Sequence, residues 1–176
     1  MDQDSLRAIQ APLKERYRTN PETARAEMRV TGSVTFEPPG CRMELPPNDG
    51  RQIRSGLHPC AGGDGTLACA GDMLLQSLVA CAGTTLAAVS IAMGLSVTAA
   101  TIRATGVMDF RGTLGVDRAV PVGMSNISME IELAGTLSGE QADKLVQLME
   151  RYCVVYQTLR ASVDLSTSHA VTAVNP

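Results

Sequence analysis

Two of the five cysteines lie in segments that the sequence predicts to be strongly apolar helices. Cys81 falls in a long uncharged segment, and Cys153 ends the apolar stripe of a second predicted helix. Any compact arrangement around a single core brings these helices close together. Two neighbouring thiols can form a reversible disulfide, but free cysteines are also among the most buried residues and often only pack. The pattern alone leaves both interpretations open, a redox pair and two packing residues.

The other residues that could do chemistry are few. The remaining cysteines are Cys41, Cys60 and Cys69, and the histidines are His58 and His169. With only two histidines, a Ser-His-Asp or Cys-His catalytic arrangement has few candidates for its histidine. A metal site at His58, Cys60 and Cys69 is an alternative, although no pair of cysteines has the spacing of a zinc site. The glycines at 62, 63 and 65 lack the spacing of a phosphate-binding loop, which favours an ordinary loop.

Composition indicates one globular domain that does not bind nucleic acid. Of the 176 residues, 44% are hydrophobic and 19% are charged, and the formal net charge is −3. No block of lysine and arginine could neutralise phosphates, and aromatic residues, at 3%, are too few for base stacking. The odd number of dispersed cysteines predicts free thiols. Acidic residues at the N-terminus, with no apolar stretch behind them, predict a cytoplasmic protein.

Residues 73 to 102 carry no charge, which raises the question of a membrane span. Polar residues interrupt this segment, and Gly94 divides it into a helical part and a strand-like part, so the pattern favours a buried central helix. We predict that Asp72 opens this helix and that Gly94 ends it after about residue 93. Because the helix has apolar side chains on nearly all of its sides, it must be covered by a sheet, a partner subunit or both.

The segments before the central helix predict a surface helix and a hairpin. The helix covers residues 5 to 20, and Pro12 either begins or kinks it. Alternation predicts a half-buried strand over residues 26 to 36. A turn at residues 37 to 40 returns the chain as a partner strand over residues 41 to 45. Residues 46 to 71 are predicted to be a long loop with one short strand near Ile53.

The segments after the central helix predict two strands and a second helix. One-sided strands are predicted at residues 102 to 110 and 127 to 133. Ser138 and Gln141 form a capping box, and apolar residues follow at helical spacing up to Cys153. A last strand is predicted at residues 161 to 165. The predicted organisation is a helical extension (1 to 25), a single domain (26 to 170) and an unstructured tail (171 to 176).

Two stretches of sequence carry a resemblance to a known family. One spans residues 59 to 95 and includes GDMLLQSLVAC, which ends at Cys81, and the other is ERYCVV around Cys153. With DFRGTLG at residues 109 to 115 and with Ser138, residues 26 to 165 resemble the OsmC/Ohr family of thiol peroxidases and their redox-protein relatives. The resemblance implies an α+β fold in which an antiparallel sheet wraps long central helices, assembled as an intertwined homodimer.

The same resemblance implies roles for the two cysteines. Cys81 matches the peroxidatic cysteine of the family, and Cys153 matches its resolving cysteine. A Cys81 thiolate would attack the O–O bond of an organic hydroperoxide and become a sulfenic acid. The sulfenic acid would condense with Cys153 to a disulfide that an external dithiol reduces, with no cofactor.

The resemblance further implies an arginine and a carboxylate at the site. Arg42, just after the Pro-Pro-Gly turn, is the candidate arginine, and a solvated hairpin residue is its alternative. Asp72 holds the carboxylate position. On one straight helix it lies about 13.5 Å from Cys81 and on the opposite face, so it acts across a dimer interface or only caps the helix. Val154 replaces the proline that commonly follows the second cysteine, so the turn presenting Cys153 is expected to differ.

A function of another class also fits the uncharged segment. The chain could be a non-catalytic dimeric module that binds a small apolar ligand between central helices, with both cysteines lining the pocket. This alternative predicts slowly reacting thiols, whereas a peroxidase predicts one fast thiol.

Overall fold

The computed structural model describes residues 1–45, 50–161 and 163–171. It begins with helix α1 (Gln3–Thr19), which Asp2 caps through its side chain, followed by a short 3₁₀ turn (Pro21–Ala24). The predicted surface helix is confirmed: it buries no residue, and Pro12 lies inside it. Gln3 Nε2 donates to the Ala92 carbonyl at 2.7 Å and ties the start of α1 to the central helix.

Three short strands form a first antiparallel sheet, which we call the arm sheet. They are β1 (Gly32–Phe36), β2 (Pro39–Glu44) and β3 (Gln52–Gly56), in the order β1-β2-β3. The predicted hairpin is confirmed, but the predicted strand over residues 26 to 36 is wrong for residues 26 to 31. Its register with β2 stops at the pair Gly32 and Met43. Thr31 O still accepts from the Glu44 N–H at 3.2 Å, but residues 26 to 31 form no strand.

The arm sheet is also exposed, whereas the sequence predicted that its first strand is half-buried. Phe36 is 82% exposed and Val34 is 64% exposed. Among the described residues, β1, β2 and β3 contact one another and make no extensive contact with any other element. Within the described ranges, the side chains of Val34 and Phe36 therefore remain largely uncovered.

The central helix α2 (Ala70–Ala92) packs against a long hairpin formed by β4 (Ser96–Met108) and β5 (Met124–Thr136). The strands are antiparallel, with Ile102 opposite Ile131. Gly94 ends the helical segment as predicted, in a left-handed conformation with φ 65° that glycine adopts without strain. The prediction that Asp72 opens α2 is wrong by two residues: the helix begins at Ala70, and Cys69 is its N-cap. A one-turn helix, α3 (Phe110–Thr113), follows β4.

Two helices complete the chain. They are α4 (Gly139–Tyr152), which begins with the predicted Ser138 and Gln141 capping box, and α5 (Val154–Arg160). The predicted strand at residues 161 to 165 is wrong: Ala161 directly follows α5, and residues 163 to 165 form no strand, while residue 162 lies outside the described residues. The molecule has an α+β fold with antiparallel sheets. Its buried core consists of Leu78, Ala82, Leu86, Leu145, Met149 and Cys153.

The isolated chain exposes far more surface than a compact protein of its size. Its accessible surface is 13319 Å², whereas about 8,000 Å² is typical of a folded monomer of this mass. Helix α2 is long and apolar enough to cross a membrane by length and composition, yet only 22% of its most apolar window is buried. Core helices of soluble proteins have the same composition. Strand β4 and helices α1, α4 and α5 contact α2, yet most of this apolar helix remains uncovered by the part of the chain that the structure describes.

Candidate active site

Cys81 lies in the middle of α2, on the part of the helix that faces α5. Leu78, three residues before Cys81, and Ala82, directly after it, are buried, and Cys81 itself is partly buried. Because α2 has no charged residue from Met73 onward, the helix carries no side-chain cation near this thiol. Any stabilisation of a Cys81 thiolate must therefore come from other elements or from dipoles.

Cys153 occupies the break between α4 and α5. It is the C-cap of α4 and the N-cap of α5, and its φ of −74° and ψ of 109° are extended rather than helical. Its N–H donates to Met149 O at 2.9 Å, and its carbonyl accepts from the Gln157 N–H at 3.0 Å. The apolar stripe predicted to end on Cys153 does so, but the helix stops one residue earlier. The Cys153 side chain is 0% exposed.

The structure brings the two predicted cysteines together. Burial opposes ionisation of Cys81, but four donors outweigh it and lower the pKa of this thiol: the N–H groups of Val155 and Val154, the Cys153 thiol and the Thr85 hydroxyl. The backbone donors belong to the first turn of α5. A continuous helix through Cys153 would use those N–H groups internally, so the break is what frees them to bind the sulfur.

Cys153 is affected in the opposite direction. Burial raises its pKa most, and its hydrogen bond and charge interaction with Cys81 raise it further, although the N–H groups of Tyr156 and Val155 oppose this. Of the two thiols, Cys81 is therefore the one that ionises at the lower pH. A thiolate next to a protonated thiol is the arrangement that nucleophilic attack followed by disulfide formation requires.

Sequence reasoning missed the donors that lower the pKa of Cys81. Thr85 stands four residues after Cys81 on α2, a spacing that places both side chains on one helix face and could have identified it. The N–H groups of Val154 and Val155 left no signal in the sequence, because no glycine or proline marks the break at Cys153.

Asp72 lies at the start of α2 and takes part in a capping box. Its Oδ2 accepts from the Cys69 N–H at 2.9 Å, and Cys69 Sγ accepts from the Asp72 N–H at 3.4 Å. The Cys69 hydrogen bonds lower the pKa of Asp72 most, and the nearby charge of His58 contributes. These contacts account for Asp72 as a capping residue. None of the interactions of Cys81 described above involves it, so its catalytic role stays a prediction.

Arg42 lies on β2, opposite Ser33 on one neighbouring strand and Arg54 on the other. It is exposed, and it belongs to the arm sheet, which stands away from α2 and α5. The single chain therefore does not place this guanidinium among the groups that act on Cys81. The role implied for Arg42 also stays a prediction.

A cavity of about 570 Å³ lies beside the cysteine pair, between β5 and the two last helices. Leu78, one turn before Cys81, and Tyr156, whose N–H faces Cys153, both line it. Strand β5 contributes apolar side chains (Met124, Ile127, Met129, Ile131) and the polar Ser125 and Asn126, and Glu150 and Arg160 supply charge. Neither cysteine lines the cavity itself, which adjoins the pair through Leu78 and Tyr156.

The alternative metal site has no support in the part of the chain that the structure describes. There, no group of three His, Cys, Asp or Glu side chains is arranged to hold a metal ion. His58 instead stacks on Phe110, with ring centroids 4.6 Å apart, and its Nδ1 accepts from the Cys60 N–H. Cys60 is exposed, and Cys69 serves as the helix cap.

Comparisons with known proteins agree with this architecture. A family model described as OsmC-like protein matches residues 63–168. The fold is similar to that of an OsmC-like protein from Mycoplasma pneumoniae, with a TM-score of 0.62, 18% identity, and 77% of this chain and 88% of that one covered. No curated protein matches the chain.

Two further solved structures of similar fold carry names that refer to hydroperoxides. An organic hydroperoxide resistance protein OsmC from Legionella pneumophila has a TM-score of 0.61 and 15% identity, with 80% of this chain and 95% of that one covered. The organic hydroperoxide resistance protein OhrB of Bacillus subtilis has a TM-score of 0.53 and 17% identity, with 79% and 94% covered. Because the OsmC-like family model matches more than half of this chain, the chain belongs to the OsmC-like protein family.

Proposed function

We propose that this protein is a cytoplasmic, thiol-dependent peroxidase that reduces organic hydroperoxides without a cofactor. The observation that carries the proposal is the interaction between Cys81 and Cys153. Val155, Val154, Cys153 and Thr85 lower the pKa of Cys81 against the effect of burial, whereas the pKa of Cys153 is raised. The hydroperoxide resistance named for two structures of similar fold supports the same chemistry.

The proposed reaction balances with the groups at the site and one external reductant. The Cys81 thiolate attacks the terminal oxygen of ROOH, the O–O bond breaks, and the alkoxide takes a proton and leaves as ROH. Cys81 is then a sulfenic acid. The sulfur of Cys153 attacks the Cys81 sulfur, the Cys153 proton and the sulfenic hydroxyl leave as water, and a disulfide forms. An external dithiol supplies two electrons and two protons to restore both thiols.

The cavity beside the pair supports an organic rather than an inorganic peroxide. Apolar side chains such as Leu78, Ile127 and Met129 line it. Burial of the organic group of the substrate there would contribute about 25 cal/mol for each Å² removed from water, which hydrogen peroxide cannot gain.

We propose that the active form is a homodimer. The surface that the chain exposes beyond a compact monomer exceeds what a stable interface requires. The uncovered side of α2 and the exposed arm sheet are the surfaces that a second copy would cover. In such a dimer the arm sheet of one copy could bring Arg42 to a site of the other, and Asp72 could act across the interface.

Hydroperoxide turnover tests the proposed function. Reduced wild-type protein, supplied with a dithiol, is expected to consume cumene hydroperoxide, and Cys81→Ser is expected to lose this activity because serine supplies no thiolate. Cys60→Ser is the matched control, since Cys60 is exposed and has no role in the proposed mechanism. Turnover that survives Cys81→Ser would refute the proposal. Absence of turnover in the wild type, with slow alkylation of all thiols, would favour the non-catalytic apolar-ligand module.

The role of Arg42 has its own test. Arg42→Ala is expected to slow the reaction, and Arg54→Ala, at the neighbouring position on β3, is the matched control. Equal rates for the two variants would assign Arg42 to the solvated surface of the hairpin.

A further inference from the structure

The exposed side chain of Gln157 spans the break at Cys153. Its Nε2 donates to the carbonyl of Glu150 at 2.8 Å, seven residues earlier and on the other side of the break. The Gln157 N–H meanwhile donates to Cys153 O, as the first hydrogen bond of α5. Gln157 is therefore attached both to the cysteine and to the end of α4.

The contact is informative because its acceptor, the Glu150 carbonyl, would bond to a different donor in a continuous helix. In a continuous α-helix the Val154 N–H would donate to Glu150 O, four residues earlier. In the described chain that bond is absent: the Val154 N–H is instead one of the donors that lower the pKa of Cys81, and the Gln157 side chain donates to Glu150 O. One backbone carbonyl has thus exchanged a backbone donor for a side-chain donor.

The Gln157 side chain therefore affects which donor Glu150 O takes at the α4–α5 junction. In the broken junction the donor is the Gln157 amide, and in a continuous helix it would be the Val154 N–H. Without the Gln157 amide, Glu150 O would lose its donor from the chain and would be open to water and to the Val154 N–H, its partner in a continuous helix. The carbonyl would then compete with Cys81 for one N–H group. With the amide in place, the carbonyl is satisfied and the N–H stays on the sulfur.

We propose that Gln157 is a positioning residue that keeps the junction broken at Cys153 and so holds the Val154 N–H on the Cys81 sulfur. The inference rests on the proposed function only in taking Cys81 as the reactive thiol. Gln157 touches no reacting atom with its side chain, and it acts through Glu150 and Val154.

The test is the pH dependence of alkylation at each cysteine, read by peptide mass spectrometry on the full chain. Gln157→Met keeps the length of the side chain and removes the donor. It is expected to move the Cys81 midpoint up by about half a pH unit, the scale set by loosening one hydrogen bond to a charged sulfur. Disulfide formation at neutral pH should slow by a similar factor, about threefold.

Two further variants separate the donor from other effects. Gln157→Lys retains a donor, and at high salt, where its added charge is screened, it should keep the wild-type midpoint. Thr158→Val, at an exposed neighbouring position on α5, should change nothing. A wild-type midpoint in folded Gln157→Met would overturn the inference, and so would equal shifts in the Met and Lys variants. Alkylation needs no peroxide, so a failure of the peroxidase proposal would show separately, as an absence of turnover in the wild type.

Discussion

At Cys81, donors from two elements together outweigh the effect of burying a thiolate. Burial alone would raise the pKa, and the hydrogen bonds from Val155, Val154, Cys153 and Thr85 lower it overall. A group with a depressed pKa is charged from a lower pH upward, so the reactive form persists as pH falls until the folded pKa is reached. The thiol is activated by dipoles of its own chain, before any contribution from Arg42.

The first prediction concerns the order in which the thiols react as pH rises. Cys81 is expected to be alkylated by iodoacetamide with a midpoint below the ordinary 9.0 of a cysteine, and Cys153 with a midpoint above it. The measurement is alkylation rate against pH for each cysteine-containing peptide. Reaction of Cys153 at a lower pH than Cys81 would reverse the roles assigned here.

The second prediction isolates the Thr85 hydroxyl. Thr85→Val removes one donor to Cys81 without changing side-chain volume much, and we expect the Cys81 midpoint to rise by about half a pH unit. Thr84→Val is the matched control, because the Thr84 hydroxyl donates to Ala80 O at 2.9 Å instead. Equal midpoints for the two variants would show that the Thr85 hydroxyl does not reach the sulfur.

At the scale of elements, the α4–α5 junction links backbone geometry to reactivity. Val154 begins α5, where proline is well tolerated, and the extended conformation of Cys153 suits a residue that precedes proline. Val154→Pro is therefore expected to leave stability within about 0.5 kcal/mol of the wild type. It should raise the Cys81 midpoint, because proline has no N–H to donate. Denaturant unfolding and the alkylation profile measure the two effects, and an unchanged midpoint would exclude the Val154 donor.

The elements that the sequence predicted best are those with local end signals. Gly94 ended the central helix and the Ser138 capping box began α4, because both signals depend on nearby residues. The apolar stripe was predicted to end on Cys153, but no glycine or proline there indicates that a second helix, α5, begins at Val154. The family resemblance paired Cys81 with Cys153, whereas periodicity alone left them as candidates.

The sequence misjudged the strands for a related reason. The alternation of apolar and polar residues from 26 to 36 is typical of a strand with one apolar face. In the described residues, however, only Gly32–Phe36 forms a strand paired with a neighbour. The prediction of half-burial at Phe36 assumed that the cover comes from the same chain. Pattern alone cannot say which chain covers an apolar face.

For the whole molecule, the excess exposed surface predicts association. We expect the protein to sediment at twice its chain mass of 18.5 kDa. Phe36→Asp should shift it toward the monomer, because the change places a charge on an apolar arm that requires cover. Leu165→Asp, at a position after α5 that is 91% exposed, is the control. A wild-type monomer at all accessible concentrations would contradict the dimer.

The most direct test of the central claim, that Cys81 and Cys153 form a redox pair, is a disulfide map of the reduced protein after one equivalent of an organic hydroperoxide. The account predicts a rapid loss of two hydrogens that peptide mass spectrometry assigns to a Cys81–Cys153 disulfide, and its absence in Cys81→Ser. An unchanged mass after minutes in excess peroxide, or a disulfide that joins other cysteines, would contradict it.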